Sequence, residues 1–220
     1  MPEIFAQPWM QVLLSLVFSL ICYLLGCTNG AIIFSKLFFG DDVRNHGSGN
    51  AGLTNFYRTY GPKYALLVVL VDMVKAALSL MLGAWVFTHL LPGGALLGRY
   101  WAALCCIVGH MYPVTEKFKG GKGVLSSGMV MMFLGWEVAV CIWGTFLILF
   151  FLFRYVSLGS VSGAVVFPIV TWLVHRDWRL MIFAVLISGL VIYAHRSNIK
   201  RLLTGTENKF KFHVNKDESK

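Results

Sequence analysis

Seven apolar stretches, at about residues 10–35, 63–90, 98–114, 124–135, 138–153, 160–174 and 180–194, leave this chain little surface suited to water. About 20 apolar residues cross a bilayer as a helix, and a span must satisfy its own backbone polar groups. The period-2 alternation of barrel strands is absent, so helices are expected. A composition of 57% hydrophobic and 13% charged residues, with a mean hydropathy of +0.70, agrees with a polytopic membrane protein rather than a water-exposed domain. The expected fold is an all-α transmembrane bundle of about seven spans, several of them short, tilted or interrupted.

Polar islands at 36–62, 115–123, 154–159 and 195–220 alternate with sparse turns near 91–99, 136 and 175–179. With Lys63 at the edge of the first island, fifteen of the 19 Lys and Arg residues fall on the first set; Arg99, Arg176 and Arg179 lie on the other face and Lys75 within a span. The positive-inside rule then puts the N-terminus outside and the C-terminus in the cytoplasm. The same asymmetry accounts for the net charge of +9 without nucleic acid, which is not expected as a partner. Residues 1–205 read as one transmembrane domain and 206–220 as a polar, frayed cytoplasmic tail. No internal repeat stands out. No Lys or Arg precedes Lys36, so a signal peptide's positive region is missing and the first span is expected to be retained. The five cysteines are odd in number, form no C-x-x-C pair and lie in apolar runs. They read as buried hydrophobes, and neither a metal site nor a disulfide is expected.

The polar islands carry the chemistry. The first holds His46-Gly47-Ser48-Gly49-Asn50-Ala51-Gly52-Leu53-Thr54-Asn55-Phe56-Tyr57-Arg58, dense in glycine, hydroxyl and amide groups. Glycines let backbone N–H groups approach an anion, Ser48, Asn50, Thr54 and Asn55 are short donors, and a helix starting here would aim Thr54 and Arg58 along one face. In the second island, Gly109-His110 and Pro113 lead into Phe118-Lys119-Gly120-Gly121-Lys122-Gly123. This reads as a second glycine cradle with ammonium counter-charge. It is not a Walker loop, because Gly123 stands where that motif needs a hydroxyl. The last island opens with His195-Arg196-Ser197-Asn198-Ile199-Lys200-Arg201, where His195, Asn198 and Arg201 recur at helical spacing. Asp72 and Lys75, three apart within a span, read as an ion pair turned into the bundle. Ser157 and Ser160 flank a short break where one hydroxyl could serve a site.

Together these islands resemble the bacterial integral-membrane acylphosphate:glycerol-3-phosphate acyltransferases, the PlsY family. The resemblance rests on Ser48-Gly49-Asn50-x-Gly52-x-Thr54-Asn55-x-x-Arg58, on Gly109-His110-x-x-Pro113 with Lys119-Gly120-Gly121-Lys122-Gly123, and on His195-x-x-Asn198-x-x-Arg201 with Glu207 downstream. Gly26-Cys27-Thr28-Asn29-Gly30 departs from the family's usual Gly-Ser-Ile-Pro before a glycine. The resemblance implies acyl transfer from acyl phosphate to the 1-hydroxyl of sn-glycerol 3-phosphate, giving lysophosphatidic acid and phosphate for phospholipid synthesis. It implies His195, Asn198, Ser48 and Lys122 as catalytic residues, and Gly49, Asn50, Thr54, Asn55, Arg58, Lys119, Gly120, Gly121, Gly123, Ser160 and Arg201 as phosphate- or substrate-binding ones. No cofactor or metal is implied. The implied setting is the bacterial inner membrane with the site facing the cytoplasm, and the implied partners are both substrates, membrane lipid and the enzyme that supplies acyl phosphate; oligomeric state is open. The rival reading is a transporter or channel for small phosphorylated metabolites, which would carry polarity along the spans to the far side.

Overall fold

The computed structural model of the chain describes residue 4 and residues 7–210, and among these it contains helices and no strand. In chain order the helices are α1 (Pro8–Cys27), α2 (Gly30–Phe39), α3 (Leu53–Tyr60), α4 (Ala65–His89), α5 (Gly94–Met111), α6 (Val124–Leu134), α7 (Trp136–Phe153), α8 (Val156–His175), α9 (Trp178–Ala194) and α10 (Arg196–Leu203). Each of the seven apolar stretches holds a helix. Length and apolarity alone select α1, α4, α7 and α8 as spans, and a fifth if α9 and α10, bent by 61°, count as one; α2 and α6 are short apolar helices. Lys211, Lys216 and Lys220 lie outside the described residues, as does the expected tail beyond residue 210.

The first stretch is not one helix. At Asn29 the backbone leaves helical geometry, and the Asn29 amide makes the break good: Oδ1 accepts from Ile32 N at 3.1 Å and Nδ2 donates to the Ala51 carbonyl at 3.0 Å. Side-chain capping of this kind satisfies donors that a helix start leaves without partners. The departure from the family's usual sequence thus falls at a hinge that also anchors the first polar loop.

Small residues set the closest approaches. Gly83 of α4 and Gly98 of α5 face each other so closely that a Cβ on either would strike the other's carbonyl, and between α1 and α5 a Cβ on Gly26 would strike the Cys106 carbonyl and one on Gly109 the Tyr23 carbonyl. Lipid supplies no hydrophobic drive between helices, so close backbone packing has to hold them. Around this contact α5 becomes the central helix, with Tyr100, Ala103, Cys106 and Ile107 fully buried. The outer side of α7 is the opposite case, with Ile148, Phe151 and Leu152 at 62%, 70% and 69% exposure, as lipid-facing residues require. Cys141 is exposed on that helix and Cys105 half-buried, so the buried reading holds only for Cys22, Cys27 and Cys106.

The expected ion pair is present: Lys75 Nζ lies 2.8 Å from Asp72 Oδ1, and both residues are buried. The expectation of a frayed tail fails for residues 206–210. Thr206 N donates to Arg201 O at 2.8 Å, Phe210 N to Arg154 O at 2.7 Å, and the Phe210 ring stacks on Tyr57 at 5.5 Å and meets Phe150 edge-on at 5.6 Å. Aromatic contacts and Glu207, described below, bind this segment to the bundle despite its polar sequence.

Candidate active site

The four polar islands converge on one cavity of about 820 Å³. Ser48, Asn50, Thr54, Arg58, Lys122, Ser157, Asn198, Arg201 and Glu207 line a polar end; Val124, Leu125, Met131, Ile142, Trp143, Phe146, Phe167 and Ile187 line an apolar one. Three helices turn their N-terminal residues to it: α3 through Leu53 and Thr54, α6 through Val124 and Leu125, and α8 through Val156 and Ser157. Helix N-termini carry partial positive charge, so the polar end suits an anion before any side-chain cation is counted.

The cations are tied into a network. Lys122 Nζ donates to Asn198 Oδ1, Asn198 Nδ2 donates to Glu207 Oε1 at 2.7 Å, and Arg201 Nε donates to Glu207 Oε2 at 2.6 Å. Ser157 Oγ adds a 2.7 Å bond to Glu207 Oε1. Burial alone would push the Glu207 carboxyl up, but these three donors outweigh it and hold its pKa below the usual carboxylate value. For Lys122, burial comes first and the Arg201 charge second; with Arg196 and Arg58 adding to them against Glu207, they bring its pKa down to about 8. Arg58 is exposed at the mouth, its Nη2 3.4 Å from the Asn208 carbonyl.

His195 occupies the bend between α9 and α10 and is only 3% exposed. Its Nδ1 lies 2.8 Å from the Val191 carbonyl, so the Nδ1–H donates there and Nε2 keeps a lone pair. Asn198, one turn on, meets the same cavity, as the helical spacing predicts.

Several expected site residues do something else. Asn55 lies at the cavity wall, but its amide holds the loop together: Nδ2 is within 2.9–3.1 Å of the Val43, His46 and Asn50 carbonyls, and Oδ1 accepts from Ser48 N at 3.0 Å. Gly49 makes a turn at φ 68° and, like the exposed Lys119, is absent from the cavity lining. Gly120 and Gly121 form no anion cradle. Their N–H groups donate to the Met111 and His110 carbonyls, both at 3.1 Å, satisfying acceptors that the end of α5 would otherwise leave open. Only Lys122 and Gly123 of that run reach the cavity. Ser160 lines it, yet its hydroxyl donates to Val156 O at 2.8 Å; Ser157 is the serine joined to the polar network. Glu207 stood in the sequence only as a motif's trailing member, and its signal there was a lone carboxylate after a basic helix.

Fold and site together define an integral-membrane helical protein in which a cavity joins an anion-suited end to an apolar one. The family described as glycerol-3-phosphate acyltransferase matches residues 16–205. Relatives named glycerol-3-phosphate acyltransferase include one from Thermoanaerobacter sp. (strain X514), 40% identical over 87% of this chain and 93% of its own, and one from Trichlorobacter lovleyi, 41% identical over 86% and 94%. Among solved structures, the glycerol 3-phosphate form of PlsY (YgiH), an integral membrane glycerol 3-phosphate acyltransferase, matches with a TM-score of 0.79 at 34% identity, covering 90% of this chain and 96% of that one. Its lysophosphatidic acid form matches at 0.76 and 32% identity, covering 90% and 95%. The chain belongs to the glycerol-3-phosphate acyltransferase family, in its integral-membrane PlsY form.

Proposed function

We propose that this acyltransferase moves a fatty acyl group from acyl phosphate to the 1-hydroxyl of sn-glycerol 3-phosphate, releasing lysophosphatidic acid and phosphate at the cytoplasmic face of the bacterial inner membrane. The observation that carries the reading is a single cavity, cationic at its polar end and apolar beyond it, as a phosphate joined to an alkyl chain would need. The crystal forms of the PlsY relative hold glycerol 3-phosphate and lysophosphatidic acid, by their descriptions, and so match the acceptor and product assigned here. The clustering of basic residues on one set of loops supports the orientation.

Arg58 and Lys122 neutralise phosphate charge, Ser48, Asn50 and Thr54 supply short donors, and Asn198 fixes Lys122. His195 Nε2 accepts from the glycerol hydroxyl and aims its oxygen. That oxygen bonds to the acyl carbonyl carbon, the bond from this carbon to the phosphate oxygen breaks, and phosphate leaves with the electron pair. The hydroxyl proton passes by way of His195 Nε2 to an oxygen of the departing phosphate, which is base enough because the leaving group of a mixed anhydride is itself an anion. The Ser160 hydroxyl is directed to Val156 O, and the Glu207 carboxylate that accepts from Ser157 also accepts from Asn198 and Arg201. Against burial, these donors hold its pKa down and make it a poor base, so neither serine is placed as an activated nucleophile.

Purified protein should therefore form lysophosphatidic acid and phosphate from palmitoyl phosphate and glycerol 3-phosphate without added metal or nucleotide. Equal or faster product formation from palmitoyl-CoA would overturn the donor assignment.

A further inference from the structure

The buried Asp72–Lys75 pair takes no part in the chemistry above, yet it reaches the cavity wall through His110. Three acceptors surround Lys75 Nζ: Asp72 Oδ1 at 2.8 Å, the Thr28 carbonyl at 2.5 Å and His110 Nδ1 at 2.7 Å. The Thr28 carbonyl and His110 Nδ1 stand in hydrogen-bond geometry, Asp72 Oδ1 is held as an ion pair without it, and an ammonium has no lone pair with which to accept. His110 Nδ1 must then accept, and the ring's proton is on Nε2. The Asp72 carboxylate, 3.8 Å from Nδ1, is too far to claim a proton there. His195 is set the opposite way, with Nδ1–H fixed on Val191 O. One cavity thus contains two buried imidazoles, one held as a donor at Nε2 and the other as an acceptor.

We propose that His110 is a catalytic hydrogen-bond donor, its Nε2–H directed at the acyl carbonyl oxygen as that oxygen gains negative charge, and that Lys75 is the positioning residue that fixes its tautomer. This rests on the acyl-transfer reading above. Arg58 is exposed, Lys122 half-buried and His110 3% exposed, so of the three His110 is the one best shielded from water. Phosphate charge belongs with the two cations, and a neutral donor away from water belongs with the carbonyl. A donor held in place beforehand, away from water, stabilises a developing oxyanion without reorganising at the moment of reaction. The chain separates the partners by 35 residues, Lys75 on α4 and His110 at the end of α5, and the tight Gly83–Gly98 contact sets those two helices against each other.

The test reads tautomer and rate separately. With 15N-histidine label in the full chain, and the His110 signal assigned by its loss in His110→Gln, His110 should show Nε2–H and His195 Nδ1–H. His110→Phe should lower kcat on the order of 10²-fold with the KM for glycerol 3-phosphate little changed, while His110→Gln, whose amide nitrogen can take the place of Nε2, should stay within about tenfold of wild type. Lys75→Met should leave a mixture of His110 tautomers and a lower kcat, which a merely structural lysine would not produce in protein that remains folded. An Nδ1–H tautomer at His110, or wild-type kcat in His110→Phe, overturns the proposal. The tautomer is read without substrate, so failure of the wild-type protein to use acyl phosphate would overturn the donor assignment while the tautomer result stood on its own.

Discussion

The two glycine-rich loops read alike in the sequence and are built on opposite principles. In the first, residues 46–52, Gly47 and Gly49 take φ of 54° and 68°, and the loop hangs on the Asn55 amide. It therefore turns short polar side chains and the start of α3 toward the cavity. In the second, Gly120 and Gly121 press against the end of α5, where a Cβ at Gly121 would come within 2.7 Å of the Ala51 carbonyl and strike His110 Nε2. Glycine gives conformational freedom at Gly49 and lack of volume at Gly120 and Gly121, while Gly47 supplies both, since a Cβ there would strike Asn55 Oδ1. A cluster of glycines beside lysine signals a close approach to something; whether to a ligand or to the protein's own backbone depends on where the neighbouring N–H groups point.

That contrast is sharpest at Gly121. Its Cβ would meet a backbone carbonyl, which cannot swing aside, in the narrow space between Ala51 and His110. Gly121→Ala should abolish activity and lower stability by about 3 kcal/mol or more, as overpacking in a rigid site does. Thermal unfolding in detergent checks it, and a near-normal midpoint would show that the loops differ less than the geometry indicates.

Lys122, the next residue, should give a large loss of rate in a protein that stays folded. Lys122→Ala removes the cation joined to Asn198 and should lower kcat/KM on the order of 10²-fold. The pH response has a defined sign. With a pKa brought down to about 8, Lys122 is charged below that value and loses its proton as pH rises through it, so the KM for a phosphate substrate should climb above about pH 8. Binding of the dianion restores the charge, and proton uptake should accompany it. In Lys122→Arg the KM rise near pH 8 should vanish, because guanidinium stays charged; its persistence there would assign the titration to another group.

The all-helical fold was legible because seven apolar runs admit little else, and Asp72–Lys75 was legible because i and i+3 share a helix face. The site was legible as a set of polar islands rich in glycine, short donors and cations. What escaped depended on contacts far apart in sequence. Lys75 meets His110 across 35 residues, and Glu207 receives Ser157 across 50. The hinge at Asn29 was hidden because the Ala51 carbonyl that receives its amide lies 22 residues on, in the first polar island. The Gly120 and Gly121 donors were misread because only the fold brings the end of α5 back over them.

The smallest expected effect separates the two uses of glycine most cleanly. At Gly49 the backbone has φ 68°, while the nearest atom to an added Cβ is the Arg44 carbonyl at an ordinary 3.5 Å. Gly49→Ala therefore meets no obstruction and loses only the ease of the left-handed conformation, about 1–2 kcal/mol. Asn tolerates that conformation better than Ala, because its side chain can bond locally. Gly49→Asn should accordingly recover much of the loss in unfolding measurements, and both variants should keep kcat within a few-fold of wild type because Gly49 does not line the cavity. The same pair at Gly121 should behave differently, with Asn worse than Ala, since added volume rather than φ is the fault there. If Asn rescued Gly121, or failed to rescue Gly49, the division between a loop that needs freedom and a loop that needs space would not hold.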